Sequence, residues 1–398
     1  MRTTSLRRLA ARIDAATPPE RDRAIDALRA FAILGVVLGH WLVTALVVDS
    51  GSIHVVSPLQ HLPAFTPVSW AFQTLAVFFL VGGQVATKSY DSAKARGDGY
   101  LTWLWARLFR LFRPVLAVLA VWTVTASALL LAGVSFGTVE SLVKLVLSPM
   151  WFLLVFAALT AATPLVRKVH PLWPLAVVLH VDLIRFAFHA GPSWLGWLNL
   201  PAGWLVPYCL GALWAREGLR GRTTGWVLLV GGVAATALLI TQAGYPASMV
   251  GVPGAKISNL NPPTLAAATF GLAQCGLALL LLGPLRRTLR RPAAWAAVAL
   301  VNLSAMTIFL WHQTSMIAVT ALGLLAGHPL LGLHTTPDTT SWILARLCWL
   351  PVFATMLTLC WATFRHHEQG GGRRRQRTIR VAGSPGSERL QPVASTVS

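Results

Sequence analysis

The sequence predicts an all-α, polytopic transmembrane helix bundle of about ten spans with both termini in the cytoplasm. Three observations lead there. Of 398 residues, 55% are hydrophobic and only 12% charged, with mean hydropathy +0.62, too little charge to clothe a soluble surface of this size. Apolar stretches of about 20 residues, enough to cross about 30 Å of hydrocarbon as helix, recur along almost the whole chain. Lysine and arginine fall on alternate connections between those stretches.

A basic leader, residues 1–25, comes first, and its "LRRLAARI" suits a short amphipathic helix on an anionic lipid surface. The apolar run at 27–48 is too long for the apolar core of a signal peptide and reads as a retained first helix. Spans follow at 69–87, 114–132 and 149–166. Two more runs, 173–190 and 197–215, flank "HAGPSWLGWLNLPAGW", whose Gly, Pro and Trp suit a turn at an aromatic interface. Spans at 225–243, 264–283, 302–325 and 341–364 complete a single membrane domain, 26–365. A basic tail, 366–398, is expected to be cytoplasmic and disordered.

The formal net charge is +20, and its distribution decides what it means. Arg2 to Arg29, Lys88 to Arg113, Arg167 with Lys168, Arg216 to Arg222, Arg286 to Arg291 and the tail arginines share one side of a ten-span topology; Lys144 and Lys256 are alone on the other. That is positive-inside bias, and it argues against nucleic acid as a partner. The lipid bilayer is the partner it implies. The four cysteines lie within expected spans without ligand spacing, so neither disulfides nor a metal site is expected.

A charged group at mid-helix costs about 2.5 to 3.5 kcal/mol to insert, so each intramembrane polar residue points to a role. Arg29 and His40 are eleven positions apart, which brings them within about 20° of one helix face and about 16 Å apart along the axis. Gly35 and Gly39 form a small-xxx-small pair on a neighbouring face, where another helix can approach. A buried neutral imidazole at His40 suits a general base, and equally a packing residue bonded to a neighbouring helix. Arg107, Arg110 and Arg113 stand three apart at the mouth of the third span, where guanidinium forks can grip phosphate or merely set topology. His312 lies mid-span in "NLSAMTIFLWHQT". Asp182 and Arg185, at i and i+3, form an expected intramembrane ion pair that either fixes helix packing or binds an acceptor. Asn259 and Asn261 in "SNLNPPT" either contact a polyhydroxylated ligand or only shape a turn. Asp26 is placed to orient Arg29, and Trp151 reads as an interfacial anchor.

Taken together, these residues resemble the membrane-bound acyltransferase family 3. "IDALRAFAILGVVLGH" is similar to that family's first-helix signature, an Arg, ten intervening residues, then a His. "FFLVGG" at 78–83, "RLFRLFRP" at 107–114, "PMWFL" at 149–153 and "IFLWH" at 308–312 resemble its later motifs, and "SNLNPPT" resembles a loop of actinobacterial members. The resemblance implies an O-acyltransferase of the plasma membrane that uses cytoplasmic acyl-CoA, typically acetyl-CoA, as donor substrate and has no permanently bound cofactor. Its acceptor would be a hydroxyl of an extracytoplasmic glycan, lipid or natural product. Arg29, Arg107, Arg110 and Arg113 would hold the donor, and His40 would activate the acceptor or carry the acyl group transiently, with His312 as a second catalytic histidine. Some relatives append a soluble hydrolase-like domain; here the tail is too short for one, so the acceptor reaches the membrane pocket directly or a separate extracytoplasmic partner protein completes transfer. The rival reading is a secondary transporter or exporter with His40, His312, Asp182 and Arg185 along its pathway.

Overall fold

The computed structural model describes residues 2–49, 52–188, 191–219, 222–255 and 257–369, and the expected tail from Gly370 onward lies outside them. The leader forms α1 (Arg2–Ala15), and the first span is α2 (Arg23–Val43), started by Asp22, whose carboxylate accepts the Ala24 N–H at 3.1 Å. The helix stops five residues short of the expected 48 because the β-branched run that follows pairs instead as a hairpin, β1 (Ala45–Asp49) with β2 (Ser52–Val56).

The second span departs most from expectation. Pro63 and Pro67 break the chain into short helical turns up to Phe72, and only then does α3 (Leu75–Ala95) begin. The non-helical backbone at Gln73 and Thr74 is satisfied by side chains. Gln73 Oε1 accepts the Leu75 N–H at 3.2 Å, Gln274 Nε2 donates to the Gln73 carbonyl, and Thr74 Oγ1 donates to the Ala32 carbonyl at 2.6 Å. Gly35 and Gly39 admit this broken segment rather than a helix. A Cβ on Gly35 would lie 2.6 Å from Thr74 Oγ1, and one on Gly39 3.0 Å from Phe72 Cβ.

There follow α4 (Tyr100–Leu131), α5 (Phe136–Leu147), α6 (Trp151–Ala161), α7 (Leu172–Asp182) with a wide turn over Leu183–Ala187, α8 (Asn199–Glu217), α9 (Arg222–Gln242) and α10 (Leu265–Thr288). A short helix, α11 (Pro292–Leu303), precedes α12 (Ala305–Gly323) and α13 (Thr340–Gln369). The sequence pattern had not revealed α11. It receives the leader, the Trp295 indole donating to Thr17 Oγ1 at 2.7 Å, while Arg23 of α2 pairs with Asp14 of α1 at 2.6 Å.

Among the described residues, eight helical segments are long and apolar enough to cross a membrane, matching the expected first four and last four spans. The other two fall short for different reasons. α7 has 11 residues, whereas α8 has 19 but is enclosed by protein, with Val206, Tyr208 and Cys209 fully buried. A helix wrapped by other helices meets little lipid and needs less hydropathy. Its approach to α3 is close enough to require glycine, since a Cβ on Gly83 would meet the Tyr208 carbonyl at 2.1 Å and one on Gly211 the Leu80 carbonyl at 2.0 Å. The protein is a multi-pass membrane protein with an all-α bundle and one small hairpin.

Candidate active site

Near its C-terminal end α2 presents His40 toward α12. The His40 and His312 rings lie 5.1 Å apart between centroids, and Gln313 Nε2 sits 3.1 Å from His40 Nδ1. His312 is 1% exposed, and its Nδ1 is 2.5 Å from the Phe309 carbonyl. A carbonyl only accepts, so Nδ1 carries the proton and the ring's lone pair resides on Nε2, which has no partner among the described residues. The chain thus holds one imidazole with its tautomer set by its own helix and a second packed directly against it.

His40 also lines a cavity of about 340 Å³, with Phe72, Gln73, Trp151 and Phe152 in its walls. The segment 250–253, Leu260 and Asn261 complete it on the side of the loop between α9 and α10. Trp151 is therefore part of the cavity wall, packed 6.0 Å from the Trp204 ring, rather than an isolated interfacial anchor.

The end of α2 that carries His40 is held by a buried cation. Arg346, 1% exposed on α13, donates Nε to the Trp41 carbonyl at 2.7 Å, Nη2 to the Thr44 carbonyl at 2.6 Å and Nη1 to the Gly332 carbonyl at 2.9 Å. It thereby satisfies carbonyls that a helix C-terminus leaves open. Its guanidinium packs over the Phe353 ring at 4.7 Å.

At the other end of α2, Arg29 donates Nε to Asn302 Oδ1 at 2.6 Å and Nη2 to Asp26 Oδ1 at 3.0 Å, while Asn302 returns a bond to the Asp26 carbonyl at 2.7 Å. The expected Asp26 contact is present, and Arg29 and His40 both face the α11–α12 side, as one stripe. Arg107 lies within electrostatic reach of Arg29 and Arg110, and it donates to Ser89 Oγ and the Val85 carbonyl, each at 3.3 Å. Among the described residues Arg110 and Arg113 make neither an ion pair nor a hydrogen bond, so their donors are available to a ligand.

Of the remaining candidates, Asp182, Arg185 and Asn259 separate from this site and Asn261 does not. Asp182, 1% exposed, accepts from Asn199 Nδ2 at 2.8 Å, the Tyr245 hydroxyl at 3.0 Å and the Leu265 N–H at 2.7 Å, with Arg185 Nη1 at 3.7 Å. It ties α7 to the starts of α8 and α10 and to the loop between α9 and α10. Burial, with the neighbouring carboxylate, pushes the Tyr245 hydroxyl above its ordinary pKa and keeps it a donor. Arg185 lies over the Phe186 ring at 4.7 Å. Asn259 is fully buried, donating to the Pro246 and Ser248 carbonyls at 2.5 and 3.0 Å and accepting from Thr264 Oγ1 at 2.6 Å. Asn261, two residues on, is exposed and lines the His40 cavity. Sequence reasoning missed Gln313 and Asn302, the partners of His40 and Arg29. Both are amides within or beside an apolar span, the same signal that marked the histidines.

No curated protein and no solved structure matches the chain significantly. A family profile does: that of the acyltransferase domain Acyl_transf_3 covers residues 22–365, nearly the whole of the bundle just described and every motif on it. The chain belongs to the membrane-bound acyltransferase family 3 and is an O-acyltransferase.

Proposed function

We propose that the protein moves an acyl group, acetyl in the simplest case, from acyl-CoA at the cytoplasmic face of the plasma membrane to a hydroxyl of an acceptor at the outer face. The observation that carries this reading is the division of labour along α2. His40, with His312 and Gln313 behind it, borders a cavity reached by the loops at one end, and Arg29 joins Arg107 and Arg110 toward the other. Residues 29 and 40 are about 16 Å apart by helical rise, so an extended donor can leave its phosphates among the arginines while its thioester reaches the histidine pair.

In the step itself the acceptor oxygen attacks the thioester carbon, forming the C–O bond as the C–S bond breaks. His40 takes the hydroxyl proton and returns it to the departing thiolate. That role needs a free ring nitrogen toward the cavity, which follows if Gln313 turns its carbonyl to accept His40 Nδ1–H; amide orientation is interchangeable at a 3.1 Å contact. His312, with its lone pair already on Nε2, offers a second proton acceptor one ring deeper. The apolar cavity walls, Phe72, Trp151, Phe152 and Phe309 among them, keep water from the thioester. The acceptor is a glycan, lipid or small molecule that reaches the cavity directly or through a separate extracytoplasmic protein. The exporter reading gives way because the chain belongs to an acyltransferase family.

Sealed vesicles of known orientation test the proposal. Transfer should require acyl-CoA on the cytoplasmic side, and His40→Ala should lower it by roughly 10² or more while donor binding persists. Wild-type transfer by a normally inserted His40→Ala protein would make the imidazole a packing residue and end this mechanism.

A further inference from the structure

A second cavity adjoins the first through a shared wall. It is a trough of about 380 Å³ on the outside of the bundle, bounded by Leu28 and Phe31 of α2, Val233 of α9, and Phe270, Leu277 and Leu281 of α10. Phe31, Val233 and Leu277 are 53%, 53% and 46% exposed, so the trough opens where a membrane protein meets lipid. Residues 270 and 281 are about 16 Å apart along α10, a length that suits one hydrocarbon chain.

The wall is the broken segment that interrupts the second span. Its residues alternate between the two spaces: Trp70, Ala71 and Thr74 line the trough, and Phe72, Gln73 and Leu75 line the His40 cavity. Above it, the same loop serves both. The Trp70 indole donates to the Ala247 carbonyl at 2.9 Å, and residues 250–253 border the His40 side. One polar group buried within the wall has no partner among the described residues. Gln274 must present Nε2 to the Gln73 carbonyl, which leaves its Oε1 without a donor.

We propose that this trough holds the hydrocarbon chain of the acceptor, so that the acceptor is a membrane amphiphile whose hydroxyl-bearing head folds over the segment 70–72 to His40. The proposal rests on His40 being the site of acyl transfer. A donor chain is the weaker occupant, because Arg107, Arg110 and Arg113 lie on α4, which contributes nothing to the trough, and Arg29, although on α2, does not line it. On α2, Ala32, Leu28 and Phe31 face about 70°, 110° and 170° away from the stripe of Arg29 and His40.

Two measurements on the full chain in detergent or nanodiscs test this. In the first, dodecyl glucoside carrying a diazirine in its chain is photolysed with the protein, and labelled peptides are mapped by mass spectrometry. Saturable labelling of α2 and α10 is expected, displaced by dodecyl glucoside and not by methyl glucoside. The saturable component should be lost in Ala71→Trp and in Leu277→Trp, which fill the trough, and kept in Leu344→Trp on an exposed face of α13. Labelling that fails to saturate, or that spreads evenly over α4 and α13, overturns the site as ordinary boundary lipid. In the second, acetyl transfer to dodecyl glucoside should exceed transfer to methyl glucoside by about tenfold, and Ala71→Trp should erase the difference. Equal use of the two glucosides by the wild-type protein refutes the trough but not the transferase. Saturable labelling without transfer to dodecyl glucoside refutes the trough as the acceptor's site and leaves the His40 chemistry to the sealed-vesicle assay.

Discussion

Asp182 is the candidate whose two readings the geometry separates most cleanly, and a pair of substitutions tests them. Asp182→Ala strands three donors, those of Asn199, Tyr245 and Leu265, in a place where the carboxylate is 1% exposed. A donor left unmet costs about 1 to 3 kcal/mol, and Tyr245 can swing toward solvent, so the loss should be about 4 kcal/mol, or about 10³ in the unfolding equilibrium. Asp182→Asn should behave differently. Its oxygen can still accept from Tyr245 and Leu265, and its new amide N–H₂ faces Asn199, whose Oδ1 has no partner among the described residues. A flip of the Asn199 amide turns that clash into a hydrogen bond, leaving only the 3.7 Å contact with Arg185 weakened and a cost of about 1 kcal/mol or less. Equilibrium unfolding of both variants in mixed detergent and SDS micelles, paired with transfer assays, reads the difference. If Asp182→Asn is as unstable as Asp182→Ala, the negative charge and not the hydrogen-bond pattern holds the four elements together. If it is stable but inactive, the carboxylate binds the acceptor and the structural account fails.

Arg110→Lys and Arg113→Lys should each weaken donor binding by about tenfold despite conserving charge, since an ammonium does not reproduce the planar fork. Unchanged acyl-CoA affinity in both, measured by titration, would leave the motif as a topology signal only. Arg346→Met should destabilise the protein by about 3 kcal/mol or more, because it strips donors from the Trp41, Thr44 and Gly332 carbonyls at about 1 to 3 kcal/mol each. Wild-type resistance to SDS unfolding would show that those carbonyls find other partners. Cysteine labelling in intact cells should reach positions within 49–68 and 244–262 from outside and spare 88–107 and 365–398, as the lysine and arginine asymmetry requires; termini on opposite faces would overturn the topology.

The sequence by itself determined the membrane class, the eight apolar spans and the periodicity that places Arg29 and His40 on one stripe. These are legible because hydrocarbon imposes one simple requirement, about 20 apolar residues per crossing, and because helical geometry repeats without reference to the rest of the chain. Where lipid was not the environment, the signal faded. α8 is wrapped by protein and carries a mixed composition, and the break at Gln73 and Thr74 lies inside an apolar run, announced only by Pro63 and Pro67. The tertiary structure alone decided the partners that come from distant helices. Gln313 meets His40 across 273 positions of chain, and so does Asn302 meet Arg29, while Asn259 and Asn261, two positions apart, divide between a buried clamp and a cavity wall. Periodicity says which residues share a face; which residue stands opposite depends on how helices distant in sequence pack, and local pattern carries no record of that.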